Sequence, residues 1–179
     1  MYYDERIKNV NEREEMGRKK LESFLKQMKF TKIEKNKYFF GRSDLYGEKN
    51  GKRYIFEIKV RDKIYNDWII EDGKMEALKI QKYDNNIDGV FYATFYDNNL
   101  YLYDVDSTPY SSSTIHAYNT TMGIGEQHKV NKYVHHYGFN NAWIFKYQNN
   151  SWNIISTPQF IKEERNETAN RKEKTNQKR

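Results

Sequence analysis

The sequence contains no cysteine. This absence excludes disulfide bonds, thiolate metal ligands and a cysteine nucleophile, so any chemistry must use carboxylates, lysines, histidines or hydroxyl groups. Long apolar runs are missing as well, because no stretch reaches the ~18 residues of a membrane span. The N-terminal MYYDERIKNV is charged where a signal peptide needs an apolar core. We therefore expect a cytoplasmic protein that has no membrane partner.

Several common site motifs are also missing. The histidines His116, His128, His135 and His136 include no pair four residues apart. The adjacent pair should point in different directions, so a zinc site is not expected. The GIG at 123–125 lacks the spacing of a phosphate loop and is interpreted as a turn. No Ser/His/Asp arrangement can be argued from the serine-rich run STPYSSST.

The length and composition predict one domain. A chain of 179 residues with 37% hydrophobic content can bury one modest core, which we assign to residues 1–161. From Lys162 onward only Ala169 is apolar, so residues 162–179 are predicted to be a disordered basic tail. That tail carries +3 of the formal net charge of +6. The remaining charge permits a polyanionic partner without arguing for one.

Apolar residues at three- and four-residue steps predict an amphipathic helix from Ile7 to Met28. Glu14 falls on the apolar stripe, whereas Glu15 is predicted to point outward. A charged residue on an apolar face costs free energy unless it is paired. Glu14 therefore either reaches solvent at the edge of the stripe or faces a cation or lysine at the end of a sheet.

A hairpin brings two carboxylates together in the next segment. Asn50 and Gly51 favour a two-residue type I′ turn, and this turn places Asp44 opposite Glu57. Directly opposed residues have Cβ atoms about 4.5–5.5 Å apart. Lys59 falls on the same face because side chains alternate along a strand. We expect this face to carry charge and the other face of RYIFEIKV to be core.

The following segments predict further elements. RDKIYNDWIIEDG is predicted to be a loop, followed by a helix from Asp72 to about Tyr83 with Asp72 as its N-cap. Lys74 and Gln81 are seven residues apart and share one stripe of that helix.

Two hairpin-like pairs come later, GVFYATFY with LYLYDV and AWIFKY with SWNIIS. The polar DSTPYSSSTIHAYNTTMGIGEQ between them is predicted to be a loop and HKVNKYVHH a short helix. The fold class is therefore α/β, with a mixed central sheet flanked by helices.

The clustered Asp44, Glu57 and Lys59 indicate a chemistry. Two carboxylates this close repel each other unless a cation lies between them, and hard oxygen ligands select Mg²⁺ or Mn²⁺. Such an ion can activate water and polarise a phosphoryl oxygen, while a lysine orients the water and offsets developing negative charge. The indicated reaction is phosphodiester hydrolysis.

The stretch SDLYGEKNGKRYIFEIKVR resembles the core motif of the PD-(D/E)XK nuclease superfamily, with Ser43 in place of the proline. The resemblance implies a restriction-endonuclease-like αβββαβ core. It makes Asp44 and Glu57 ligands of Mg²⁺ or Mn²⁺, with the Ile58 carbonyl as a third. Lys59 becomes the lysine that positions the attacking water.

The same resemblance implies further residues and partners. Glu14 is the candidate for the additional glutamate that such nucleases often carry on their first helix, and Lys74 or Gln81 for the residue on the helix after the E-x-K strand. Arg61 and Lys63 are candidates for phosphate contacts. The implied protein is a magnesium-dependent DNA endonuclease, with a homodimer as one candidate assembly. It resembles small nucleases of bacteriophages and mobile elements, and we expect it to act in a bacterial or phage-infected cell.

Two other classes stay open. One is a catalytically silent nucleic-acid-binding or assembly module of the same fold, in which Glu14 turns away from the other carboxylates. The other is an interaction protein whose C-terminal hairpins expose an aromatic patch that includes Trp143 and Trp152. The residues do not decide between DNA and RNA.

Overall fold

The structure is a computed structural model that describes residues 2–35, 43–118 and 129–161, with side chains described from residue 11 onward. The elements are α1 (Tyr2–Gln27), β1 (Thr31–Lys35), β2 (Leu45–Lys49), β3 (Lys52–Arg61), β4 (Asp67–Glu71), α2 (Asp72–Asp84), β5 (Gly89–Tyr96), β6 (Asn99–Asp104), β7 (Ser111–Tyr118), β8 (Lys129–Gly138), a 3₁₀ turn (Phe139–Asn141), β9 (Trp143–Gln148) and β10 (Ser151–Ser156). The predicted tail at 162–179 lies outside the described residues. No helix in the described ranges is long and apolar enough to cross a membrane.

A seven-stranded mixed sheet forms the centre of the fold, in the order β1-β2-β3-β5-β6-β9-β10. Strands β3 and β5 are parallel, and the other described pairs in this sheet are antiparallel. With β4 left out, because it pairs in a separate sheet, the chain order α1, β1, β2, β3, α2, β5 matches the predicted αβββαβ core. The predicted α/β class, a mixed sheet flanked by helices, is therefore confirmed.

The β2–β3 hairpin has the predicted register. Lys49 pairs with Lys52, and Leu45 pairs with Phe56. The two turn residues, Asn50 and Gly51, have φ values of 52° and 76°. Both central residues of a type I′ turn need positive φ, and this requirement selects Asn-Gly there. The turn therefore determines which residues of the two strands face each other.

Helix α1 covers one face of β3. Leu21, Phe24 and Leu25 are buried in one core cluster with Phe56 and Ile58, as the apolar stripe predicts. The helix comes closest to the sheet at Gly17, where an added Cβ would lie 2.7 Å from Val60 Cγ2 and 2.9 Å from Ile58 Cγ2. A side chain at this position would push α1 away from β3.

The opposite face of β3 is covered too. Ile55 is buried in a second cluster with Trp68 of β4 and with Met75 and Leu78 of α2. The Glu57 face carries charge, as expected, but β4 and α2 cover it, so Glu57 lies in a largely buried position. Strand β3 lies inside the sheet between β2 and β5, and the elements that follow it fold back over the Glu57 face.

A second sheet, in the order β4-β8-β7, is formed by segments for which the sequence predicted other structures. Strand β4 replaces the end of a predicted loop, β7 replaces part of another, and β8 replaces the predicted helix at 128–136. Side chains along β8 alternate between two faces of the strand, with Lys132, Val134 and His136 on one face and Tyr133 and His135 on the other. The segment is short, so its pattern could be misread as that of a helix.

The N-terminus of α2 also differs from the prediction. The N-cap residue is Glu71, without a side-chain capping hydrogen bond. The Asp72 carboxylate instead lies 2.7 Å from His135 Nε2. The Asp72 side chain therefore pairs with His135 of β8 instead of capping its own helix.

Candidate active site

Asp44 and Glu57 form the centre of the candidate site. The Asp44 N–H donates to the Phe56 carbonyl at 2.9 Å, so Asp44 stays bonded to β3 although the regular pairing of the hairpin ends at Leu45 and Phe56. The Ile58 N–H donates to Asp44 Oδ2 at 2.7 Å. These two bonds hold the Asp44 carboxylate against the segment of β3 that carries Glu57.

Glu57 is an unusually placed carboxylate, because its side chain is only 13% exposed. Burial, and then the neighbouring Asp44 carboxylate, raise the pKa of Glu57 to about 8, although Lys74 acts in the opposite direction. The Oε2 atom is buried and has no hydrogen bond of good geometry among the described residues. The site therefore contains a carboxylate that is costly to ionise in the absence of a further cation.

Lys74 supplies the nearest positive charge. Its Nζ lies 2.9 Å from Glu57 Oε2, and it extends from the first turn of α2. This contact is an ion pair rather than a well-aligned hydrogen bond. The structure thus brings together the predicted metal ligand and one of the two residues predicted on the helix after it.

Gln81 lies further along α2, towards the C-terminus of the helix. Its Nε2 donates to the buried Ser43 Oγ at 3.1 Å. Its Oε1 is buried without a hydrogen-bond partner in the described ranges. Gln81 therefore contacts the residue directly before Asp44 and supports the start of β2.

The predicted lysine and the phosphate-contact candidates occupy different environments. Strand alternation places Lys59 on the Glu57 face, beside Thr94 of β5. Lys59 is half-buried and makes no hydrogen bond or ion pair within the described part of the chain. Arg61 donates from Nη2 to the Ile69 carbonyl at 3.4 Å, so β4 holds its guanidinium. Lys63 is exposed in the segment that follows β3.

Glu14 reaches the site only through an arginine. Arg18 Nη2 lies 3.3 Å from Glu14 Oε2 and 3.7 Å from Asp44 Oδ1. The Glu14 side chain is 51% exposed and that of Glu15 is 38% exposed, so the expectation that Glu15 points further outward is wrong. Of the two interpretations of Glu14, the structure matches the one in which it reaches solvent, and its partner is Arg18 of the same helix rather than a cation or lysine at the end of the sheet.

The two carboxylates are ligands of the type that a small divalent ion prefers. Magnesium usually binds through one or two carboxylates and keeps several waters or substrate oxygens. Asp44 and Glu57 provide such a pair, and a divalent ion would stabilise Glu57 Oε2 further than the Lys74 ammonium at 2.9 Å. No group of three or more His, Cys, Asp or Glu side chains that could hold a metal occurs among the described residues. A closed, all-protein metal cage is therefore not formed there.

Sequence reasoning missed two polar rows in the second sheet. Ser113 Oγ lies 2.6 Å from His136 Nε2, and His136 Nδ1 lies 3.0 Å from Asp67 Oδ2. In the other row, Ser112 Oγ lies 2.8 Å from His135 Nδ1, and His135 Nε2 lies 2.7 Å from Asp72. The two histidines point to different partners, as predicted. Recognising β7 and β8 as paired strands would have revealed both rows.

Neither tryptophan of the C-terminal hairpin forms the exposed patch that an interaction protein would show. Trp152 is 4% exposed and packs on Phe24, and Trp143 is partly buried against the same core. The predicted patch around Trp143 and Trp152 is therefore not formed among the described residues, although Ile154 and Ile155 of β10 are exposed.

Comparison with solved structures gives remote similarities to other proteins. No protein-family profile matches the chain, and a search of curated protein sequences finds no match. Among solved structures, the chain is similar to Hjc, a Holliday junction resolvase from Archaeoglobus fulgidus. The identity is 12% and the TM-score 0.44, and the match covers 64% of this chain and 84% of the other. A similarity of this extent does not assign a function.

Proposed function

We propose that this protein is a divalent-metal-dependent endonuclease that hydrolyses phosphodiester bonds in DNA. One observation carries the proposal: a buried, incompletely satisfied Glu57 carboxylate lies beside Asp44. Such an arrangement destabilises the protein in the absence of a cation, and perturbed carboxylates of this kind concentrate at functional sites. The resemblance of the hairpin motif to PD-(D/E)XK nucleases and the αβββαβ order of the core support the same reaction.

The roles follow from the position of each group. Asp44 and Glu57 would hold Mg²⁺ or Mn²⁺, with the Ile58 carbonyl as a third ligand. When bound, such an ion polarises a phosphoryl oxygen and lowers the pKa of a coordinated water. Lys59, which is half-buried on the Glu57 face, would orient the attacking water and stabilise the negative charge that develops.

The surrounding residues would bind and orient the substrate. Lys74 and Gln81 lie on α2 directly beside the carboxylates and their hairpin. Lys63 is exposed near the end of β3 and is suited to a phosphate contact, while Arg61 would have to leave the Ile69 carbonyl to make one. The basic segment 162–179 adds sequence-independent affinity that falls with salt. Cutting of both strands would use two copies of the chain.

Cleavage assays test the proposal. Plasmid, linear, branched and single-stranded DNA are incubated with Mg²⁺, Mn²⁺ or chelator, and the wild type is compared with Glu57→Gln and Lys59→Ala. Matched controls are Glu76→Gln and Lys79→Ala, which change exposed residues of α2. We expect metal-dependent cutting that both site variants lose and both controls keep. Full cutting by Glu57→Gln and Lys59→Ala would contradict the proposal.

A second candidate function is a catalytically silent nucleic-acid-binding module. The observation that favours it is the pairing of Asp44 with Arg18 and of Glu57 with Lys74, which partly neutralises both carboxylates in the absence of a metal. This candidate predicts DNA binding in chelator and no cutting of any substrate in the panel.

A further inference from the structure

Arg18 occupies a position between helix α1 and the carboxylate pair. It follows Gly17, where an added Cβ would clash with β3, and its side chain is 23% exposed. The close approach at Gly17 is what brings a helix side chain to Asp44. Arg18 was not among the residues that the sequence motif identified.

The guanidinium of Arg18 is shared by three carboxylates. Nη1 lies 3.5 Å from Glu15 Oε2, and Nη2 lies 3.3 Å from Glu14 Oε2 and 3.7 Å from Asp44 Oδ1. The Asp44 contact is the longest of the three. The same Asp44 carboxylate also accepts the Ile58 N–H through its other oxygen. Arg18 is therefore anchored to α1 by Glu14 and Glu15 and attached to the site more loosely.

A divalent ion at Asp44 and Glu57 would change this balance. An ion of charge +2 would compete with Arg18 for the Asp44 carboxylate and repel its guanidinium, and the repulsion is strong where burial limits screening. Glu14 and Glu15 would keep the released side chain close to the site. An arginine fork held beside a bound cation is suited to a phosphate, because it presents paired donors to two oxygens.

We propose that Arg18 is a phosphate-binding residue that Asp44 holds in the metal-free protein and that metal binding releases to the DNA backbone. This inference rests on the proposed function, since it needs the metal at Asp44 and Glu57. The metal would then increase DNA affinity in two ways, directly through the ion and indirectly through the release of Arg18. By linkage, DNA then raises metal affinity by the same factor by which metal raises DNA affinity.

The test uses two binding measurements on the full chain. Mn²⁺ binding is measured by electron paramagnetic resonance without DNA, and binding of a labelled duplex is measured in Ca²⁺ and in chelator. The variants are Arg18→Gln and Arg18→Lys, and the control is Lys19→Gln, which removes the same charge from an exposed neighbour on α1.

We expect Arg18→Gln to bind Mn²⁺ more tightly than the wild type, because a competing cation is gone. We also expect the gain in DNA affinity caused by Ca²⁺ to fall by about fivefold or more. Arg18→Lys should keep near-normal Mn²⁺ affinity but lose DNA affinity in Ca²⁺. If Arg18→Gln does not fold, the loss of DNA affinity by Arg18→Lys in Ca²⁺ tests the inference in its place.

Two results would overturn the inference alone. They are Mn²⁺ affinity in Arg18→Gln that is unchanged or weaker, and a loss of DNA affinity that is the same in chelator as in Ca²⁺. A merely structural role for Arg18 predicts both. The proposed function fails separately if wild type and Glu57→Gln bind Mn²⁺ equally, and in that case the inference fails with it.

Discussion

The Asp44 carboxylate accepts the backbone N–H of Ile58, the residue that follows Glu57 in β3. This bond fixes the first carboxylate relative to the strand that carries the second. The site geometry is thus tied to the backbone of the hairpin rather than to two flexible side chains. The stability of the hairpin and the electrostatics of the site can therefore be tested together.

Replacement of Glu57 by Gln should stabilise the metal-free protein at high pH. Folding raises the pKa of Glu57 from 4.5 to about 8, so the folded state binds this proton more tightly than the unfolded state. The free energy of unfolding therefore falls as the pH rises from 4.5 towards 8 and levels off above that range. We expect the decrease in the free energy of unfolding between these pH values to be about 2–4 kcal/mol smaller in Glu57→Gln than in the wild type.

Urea unfolding in chelator at about pH 5 and about pH 9 measures that difference. The control Glu76→Gln changes an exposed residue and should follow the wild type at both pH values. An equal pH dependence in wild type and Glu57→Gln would show that Glu57 titrates normally.

Metal binding should release a proton near neutral pH. A metal ligand must be deprotonated, and burial beside Asp44 raises the pKa of Glu57 to about 8. The apparent Mn²⁺ affinity should therefore increase with pH up to about 8 and change little above it. Calorimetry in buffers of different ionisation enthalpy measures the released proton. A Mn²⁺ affinity that is constant across this range would contradict the assignment of Glu57 as a ligand.

Gly17→Ala should destabilise the protein. The new Cβ would meet Val60 Cγ2 and Ile58 Cγ2 at distances no side chain can accept without movement, and overpacking of this kind costs about 1–3 kcal/mol. The matched control is Gly73→Ala in α2, where nothing lies within 4 Å of an added Cβ. There we expect a stabilisation of about 0.5–1 kcal/mol, because alanine is the better helix former.

Both substitutions are measured by thermal and urea unfolding. A stable Gly17→Ala protein would show that α1 can retreat from β3 at no cost. In that case Arg18 should also lose its contact with Asp44, which the Mn²⁺ measurement would detect.

His136→Ala should weaken the second sheet. His136 joins Asp67 of β4 to Ser113 of β7, so its removal leaves two polar groups without their partner. We expect a loss of about 1–3 kcal/mol in the free energy of unfolding. The control is His116→Ala, because His116 is exposed and its side chain contacts Asn131 at 3.2 Å. An equal loss of unfolding free energy in His136→Ala and His116→Ala would show that the row of Asp67, His136 and Ser113 stabilises the protein no more than an exposed contact does.

The hairpin and the first helix could be predicted because their signals are local. Asn50 and Gly51 determine the register of the β2–β3 hairpin, which brings Asp44 to the segment of β3 that carries Glu57, and the apolar stripe of α1 ends at the residues that pack on Phe56. Coverage of the Glu57 face could not be predicted, because it depends on how β4, α2 and β8 fold back from distant positions. Arg18 was missed for a related reason: the motif directs attention to carboxylates, while the charge that balances them comes from a close helix approach.

The parallel pairing of β3 with β5 bears on the order in which the site assembles. The β2–β3 hairpin is a local structure, and hairpins form in about 1–10 μs. Pairing of β5 with β3 must wait for closure of the intervening chain that contains β4 and α2, and such non-local contacts slow folding. The two acidic groups should therefore meet before Lys74 arrives from α2. A folding intermediate of this protein would carry an uncompensated negative charge at the hairpin, and divalent cations would then act on the rate of folding as well as on the finished site.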